Sequence, residues 1–334
     1  MRARWGERAS ALIVFGATLL AAALATGDEP RPALPSDKAA QTLLLDVARA
    51  GERIVAVGAW GHVLLSDDGG ATWRQARSVP VQAVLTSVFF LDARSGWATG
   101  HDAVILHTRD GGETWVLQHR DIESDAPLFS IWMRGAHSGI AVGAFGSALR
   151  TRDGGQHWEA VEILEDDGDL HLNALFEGPE DALFIAAEAG QVLRSRDGGV
   201  HWEVLDPPYA GSFWGGLATR EGAVLVFGMR GHLLRSDDGG DHWVSVDSGT
   251  DQSLGGGTRL DDGSIAIVGL GGAITVSRDG GRTFEARVRA DRRGGNAVAE
   301  GGEGLLICGE GGVETESRAA APVPLERRPA TRPR

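Results

Sequence analysis

Cysteine is nearly missing from this 334-residue chain: Cys308 stands alone, so no internal disulfide braces the fold. It lies in GLLICGEG, a strand-like apolar run in which a buried, inert thiol is expected, and far from the N-terminal leader where a lipid would be attached. Tyrosine is equally scarce, with Tyr209 the single example. Basic charge is short, at 32 Lys and Arg against 46 Asp and Glu for a formal net charge of -14. With no basic stripe to offset it, that balance excludes nucleic acid as a partner and disfavours anionic lipid. A long apolar run occurs once, Ala9 to Ala25, behind Arg2, Arg4 and Arg8. Residues 1–25 read as a secretory signal cut after Ala25, with an uncleaved membrane anchor as the alternative, because the run is near the lower length limit for spanning a bilayer. The expected location is the periplasm or the outside of the cell, with association at the membrane left open. Helical intervals are lacking after the leader, and so are a phosphate loop and H-E-x-x-H spacing.

Glycine, by contrast, is abundant at 49 residues, and the chain repeats itself. SDDGGATW at Ser66 returns as TRDGGETW at Thr108, TRDGGQHW at Thr151, SRDGGVHW at Ser195, SDDGGDHW at Ser236 and SRDGGRTF at Ser277. The aligned aspartates Asp68, Asp110, Asp153, Asp197, Asp238 and Asp279 are 42, 43, 44, 41 and 41 residues apart. Units this short cannot bury an apolar face alone and must stack on one another. Within residues 84–120, LTSVFFL, GWATG, AVILHT and TWVLQH are strand-like runs divided by turn signals, a meander of short strands. A seventh unit, GNAVAEGGEGLLICGEGGVETES, lacks the octet and has PVPLER as a candidate finish. The expected fold is all-β, a β-propeller of seven four-stranded blades, in which radial packing protects strand edges. A six-bladed ring with an extra hairpin is the alternative. The implied division is a signal peptide over 1–25, a flexible lead or closing strand over 26–42, the propeller over 43–325 and a disordered tail over 326–334.

Each octet reads as a hairpin staple. The Asp accepts from turn amides, the Ser or Thr adds a local bond, the second Gly suits a positive φ, and the Trp covers the hairpin. The residues are Ser66, Asp68, Gly70 and Trp73; Thr108, Asp110, Gly112 and Trp115; Thr151, Asp153, Gly155 and Trp158; Ser195, Asp197, Gly199 and Trp202; Ser236, Asp238, Gly240 and Trp243; Ser277, Asp279, Gly281 and Phe284. They resemble the Asp-box (BNR) repeat, Ser/Thr-x-Asp-x-Gly-x-Thr-Trp, with His157, His201 and His242 at the threonine position. Six copies also share a preceding element: AVGAWGHVL at Ala56, ATGHDAVIL at Ala98, AVGAFGSAL at Ala141, AAEAGQVL at Ala186, VFGMRGHLL at Val226 and IVGLGGAIT at Ile267. ICGEGGVET at Ile307 is the seventh. Over residues 43–316 the chain therefore resembles the photosystem II stability/assembly factor-like family. That resemblance implies a seven-bladed, non-enzymatic protein that helps a membrane complex assemble, without a cofactor. The expected partner is a protein or peptide client, an inner-membrane complex being one such client, and the motifs do not name it.

Sialidases carry Asp boxes too, so an enzyme reading needs a chemical test. A sialidase-like site requires a tyrosine nucleophile, yet Tyr209 sits in the link LDPPYAGSFW, and GERIVAV lacks an Arg-Ile-Pro signature. Other sugar hydrolysis needs two carboxylates at a suitable separation, which keeps an atypical glycoside hydrolase or carbohydrate-binding propeller as the alternative. Asp102, Asp121, Glu188 and Glu310 break the repeat pattern but read as solvated loop residues. The octet histidines occupy equivalent positions in separate blades and cannot converge on a metal, and LEDDGD at 164–169 reads as an acidic turn. Binding is expected where the repeats deviate. Trp60, Phe145, Trp132 and Trp214 are candidate aromatic anchors, with His101 and Arg230, and more weakly Arg134 and Arg220, at the rim. The links RDIESDAPLFS, VEILEDDGDLHLN and LDPPYAGSFWGG are expected between blades on one face.

Overall fold

The runs RIVAVG, GWATG, SGIAVG, LFIAA, VLVFG, IAIVG and LLICG form strands in which nearly every residue is buried. A strand buried on both faces must lie between two other layers, and each of these is the second strand of a sheet packed between neighbouring sheets. The computed structural model describes residues 29–124, 126–164, 169–302 and 304–317. Among them, 27 strands form seven antiparallel sheets in chain order, six of four strands and a last one of three. Blade 1 comprises Leu44–Ala50, Arg53–Gly58, Val63–Ser66 and Arg74–Gln75. The first strands of the remaining blades are Leu85–Phe90, Leu128–Arg134, Leu172–Glu177, Phe213–Ala218, Leu254–Arg259 and Gly295–Glu300. Each first strand touches the next, and the seventh touches the first, so the ring closes with seven blades and not six. The ring lies wholly within residues 31–334. The expected signal peptide and the tail over 326–334 lie outside the described residues.

The A-V-G-x-x-G element has a steric cause. The glycine that ends the second strand lies against the chain entering the first strand of its own blade. A Cβ on Gly58, Gly143 or Gly228 would come within 2.2, 2.1 and 2.2 Å of the carbonyl oxygens of Leu43, Pro127 and Ser212. Three residues on, Gly61 has φ +69, and its Cβ would meet the Val81 carbonyl oxygen at 2.0 Å. That second glycine lets the turn press against the link leaving the blade. Blade 4 departs from the rule with Ala187, which has φ -133.

Closure relies on packing and side-chain bonds. The Asn296 side-chain amide donates to the Leu44 carbonyl at 3.0 Å, and the Gly302 amide donates to Gly69 at 2.9 Å. Leu44, Ala56 and Leu64 of blade 1 share a core with Ala297 and Cys308 of blade 7. Residues 34–42 supply no strand to that seam. Ala39–Gln41 forms a 3-10 helix, and the Ala40 carbonyl abuts Gly312. The preceding lead is tied to the ring: the Ala33 amide donates to Val79 at 3.0 Å, and the Gln82 side chain donates to Pro32 at 2.9 Å.

Gly228→Ala tests the steric account. Overpacking against a backbone carbonyl should cost about 1–3 kcal/mol, read as a lower urea midpoint, whereas Ala187→Gly should cost about 1 kcal/mol or less.

Candidate functional site

The six octets are corners between third and outer strands, and their Ser or Thr hydroxyls and Asp carboxylates are occupied locally, although the Trp158 and Trp243 indole N–H groups are buried without a partner. In blade 1 the Ser66 hydroxyl donates to Asp68 at 2.8 Å and accepts from the Gly70 amide at 2.8 Å. Asp68 also accepts from the Thr72 amide at 2.9 Å and the Thr72 hydroxyl at 2.5 Å, while the Trp73 indole donates to the Gly70 carbonyl. The histidines at the threonine position do the same work: the ring Nδ1 of His157, His201 and His242 lies 2.6, 2.6 and 2.7 Å from Asp153, Asp197 and Asp238. The Thr72 hydroxyl, with amide donors, holds the Asp68 carboxyl down to about 2; at Asp153 the His157 amide leads and the level is also about 2.

Every corner also offers a glycine carbonyl to the preceding blade. Arg53 donates to Gly111, Gln118 to Gly154, Arg150 to Gly199, Arg194 to Gly239 and Arg235 to Gly280, and the Gly302 amide serves Gly69. Arg194 is 5% exposed and adds Glu203 of its own blade and Asp241 of the next. These corners spread around the ring as inter-blade clasps.

The opposite face carries the turns between second and third strands and the links between blades. Trp60, Asp102, Phe145, Ala189, Arg230 and Gly271 are equivalent in these turns, and all are left-handed, with φ 61, 57, 54, 55, 56 and 62. Trp60 is 65% exposed and Phe145 59% exposed. His101 and Arg230 are exposed on the same face. The Phe145 amide donates to His171 Nδ1 at 3.1 Å, and the two rings meet edge to face at 4.9 Å. Tyr209 lies in its link with its hydroxyl donating to the Met229 carbonyl and its ring stacked on His232 at 4.1 Å. It is packed as a structural bridge away from the central cavity. Trp132 does not join this face. It is buried at the other end of its strand, under the Arg134 guanidinium at 5.5 Å. Arg134 and Arg220 also turn toward the corner side, donating to Asp181 and Asp261 carbonyls.

Trp214 points into a third region, a central cavity of about 510 Å3 enclosed by all seven first strands. Every first strand shifts register near its start, as between Leu44 and Asp46. The extra residue at each bulge, namely Leu45, Thr86, Phe129, Asn173, Trp214, Gly255 or Asn296, lines the cavity. Thr86, Asn173 and Asn296 use that position to donate to the Leu128, Phe213 and Leu44 carbonyls of the next blade. Asp46 is the one ionisable lining residue among the described residues. Burial pushes its carboxyl up to about 6, against the pull of the Val88 and Val47 amides and the Ser87 hydroxyl. The ring of bulge residues went unnoticed in the sequence, although aligning the repeats puts these dissimilar residues in one column. Among the described residues, no three His, Cys, Asp or Glu side chains are placed to hold a metal, and no helix is long and apolar enough to cross a membrane. Residues 165–168 of the acidic turn lie outside the described residues.

Corners, clasps and a central cavity define a seven-bladed Asp-box propeller. A family model described as Photosynthesis system II assembly factor YCF48 matches residues 75–203 and 117–264, and the chain belongs to that family. A curated relative, the photosystem II assembly lipoprotein Ycf48 of a Synechocystis species, is 37% identical over 73 residues. That match spans 22% of this chain and 21% of the relative. Among solved structures, YCF48 bound to D1 peptide superposes with a TM-score of 0.67 at 21% identity, covering 85% of this chain and 97% of that one. Virginiamycin B lyase from Staphylococcus aureus superposes with a TM-score of 0.69 at 11% identity, covering 85% and 96%. At these identities the structural likeness speaks for the fold alone.

Two pH effects of opposite sign follow. Asp68 and Asp153 are held below their ordinary 3.8, so their stabilisation is present above about pH 4 and is lost as pH falls toward 2. Acid titration followed by circular dichroism should show this loss, and the Asp68→Asn/Asp153→Asn double variant should be less stable at pH 7 but change less over that window. Asp46 is raised, so its contribution is present below 3.8 and lost as pH rises through about 6. The facing titratable group is the Cys308 thiol, itself pushed up by burial and by Asp46. Between pH 4 and 7, unfolding free energies from urea titration should shift in favour of Asp46→Asn relative to wild type by at most about 3 kcal/mol.

Proposed function

We propose that this chain is an exported, non-catalytic propeller that holds a protein or peptide client of an envelope-associated complex on its turn face. The carrying observation is the display of Trp60 and Phe145, large apolar rings left exposed on left-handed backbone. Such a conformation costs about 1–2 kcal/mol for a residue with a Cβ. Equivalent turns in this chain hold Gly271 and Ala189, so the fold does not demand an aromatic there. Aromatic side chains on a rigid frame suit protein contact, because they bury large area with little loss of freedom. Exposed His101 and Arg230 add polar groups to the same rim. Family membership supports an assembly role, and the D1 peptide bound to YCF48 suggests a membrane-protein segment as the kind of client. Export to the periplasm or beyond rests on the leader at 1–25 and on the lipoprotein relative. This chain's lone Cys308 is buried in blade 7 and is not a lipid site.

A glycosidase reading has little support, since paired carboxylates are required and Asp46 stands alone in the cavity wall. Tagged wild-type protein and the Trp60→Ala/Phe145→Ala variant, used in parallel for affinity capture from envelope extract, test the proposal. Specific partners of the wild type should be reduced at least tenfold with the variant at unchanged thermal stability. Equal recovery of every partner would remove the turn face from the account.

A further inference from the structure

The central cavity is divided in chemistry as well as in space. Blades 3 to 5 contribute Phe129, Phe176 and Trp214 to its wall. Phe227 lies behind that wall, 1% exposed, with its ring packed against glycines: a Cβ on Gly215 or Gly257 would come within 2.5 or 2.9 Å of it. Across the ring, blades 7, 1 and 2 contribute Asn296, Asp46, Thr86 and Ser87. Asp46 accepts from the Val47 and Val88 amides, each at 2.8 Å, and from the Ser87 hydroxyl. Those three donors use three of a carboxylate's roughly four acceptor positions, so one position and the negative charge face the cavity. Among the described residues no cationic side chain lines the wall to neutralise it. The volume of about 510 Å3 falls in the range typical of small-ligand sites.

We propose that this cavity binds a primary ammonium carried on an aromatic or branched apolar body, with the ammonium against Asp46 and the body against Trp214 and Phe129. The shared chemistry covers two sources, a free arylalkylamine and the amino end of a peptide that begins with an apolar residue. The site is independent of client binding at the turn face, because Trp60 and Phe145 take no part in it.

Calorimetry at pH 7.5 with full-length protein tests the assignment. Benzylammonium is compared with benzyl alcohol, and a pentapeptide with amino-terminal phenylalanine is compared with its acetylated form. At least one ammonium probe should bind at least tenfold more tightly than its neutral counterpart, and which probe does so identifies the source. Asp46→Asn should erase that preference. Gly255→Trp should block binding, since a Cβ there meets nothing nearer than 3.5 Å and the side chain has open cavity to fill. It also keeps the test decisive if Asp46→Asn fails to fold. Trp60→Ala should leave both affinities unchanged, which separates failure of this site from failure of the client surface. Equal binding of charged and neutral probes, or binding that survives Gly255→Trp, would overturn the proposal.

Discussion

A glycine carbonyl held by the blade before it is the contact on which this ring depends. The Asp-box supplies it. By closing four hydrogen bonds within eight residues, Ser66 and Asp68, like their counterparts in the other five octets, fix a turn whose second glycine is left-handed. A turn fixed in that way aims its carbonyl sideways, where Arg53, Gln118, Arg150, Arg194 or Arg235 can reach it. The bonds are with backbone, so a glycine carbonyl is the acceptor however the octet varies: the first glycine in five corners and the second, Gly199, in blade 4. Histidine replaces threonine and phenylalanine replaces tryptophan, yet a glycine carbonyl still meets the preceding blade. The chain thus repeats the residues that hold blades together and varies the rest.

The bulge at the start of each first strand applies the same economy on the inside. One residue per blade turns toward the axis, and its identity is free of the packing between sheets. In blades 2, 4 and 7 it is Thr86, Asn173 and Asn296, which lace one blade to the next. In blades 3 and 5 it is Phe129 and Trp214, which face the cavity. Bonding between blades and the lining of the cavity therefore share one structural position. The turn face has similar freedom, since the left-handed site accepts Gly271, Ala189, Arg230 or Trp60.

Seven blades, their strand order and the octet corners were legible because each depends on local chemistry repeated at a near-constant interval. Asp68 with Gly70 and Trp73 implies a corner wherever it occurs. The central site was less legible. Asp46 has no special neighbours in LLLDVARA, and its burial arises from blades 2 and 7, far away in sequence. Trp132 and Trp214 both follow a phenylalanine or isoleucine early in a first strand, yet one is covered and the other lines the cavity. The register shift separates them, since Trp214 is the bulge residue and Trp132 stands two positions after Ser130, deep in the ladder. Fold likeness does not settle chemistry either, because a lyase superposes as well as YCF48 does.

Hydrogen exchange on Asp153→Ala probes the clasp most directly. Asp153 holds the turn that presents Gly154 to Gln118 of the preceding blade. The account predicts lost protection both at the Gly155 and His157 amides and in the outer strand Val116–His119 of blade 2, with distant blades 5 and 6 unaffected. Exchange that rises only within the altered octet, leaving Val116–His119 fully protected, would contradict the claim that these corners hold the blades together.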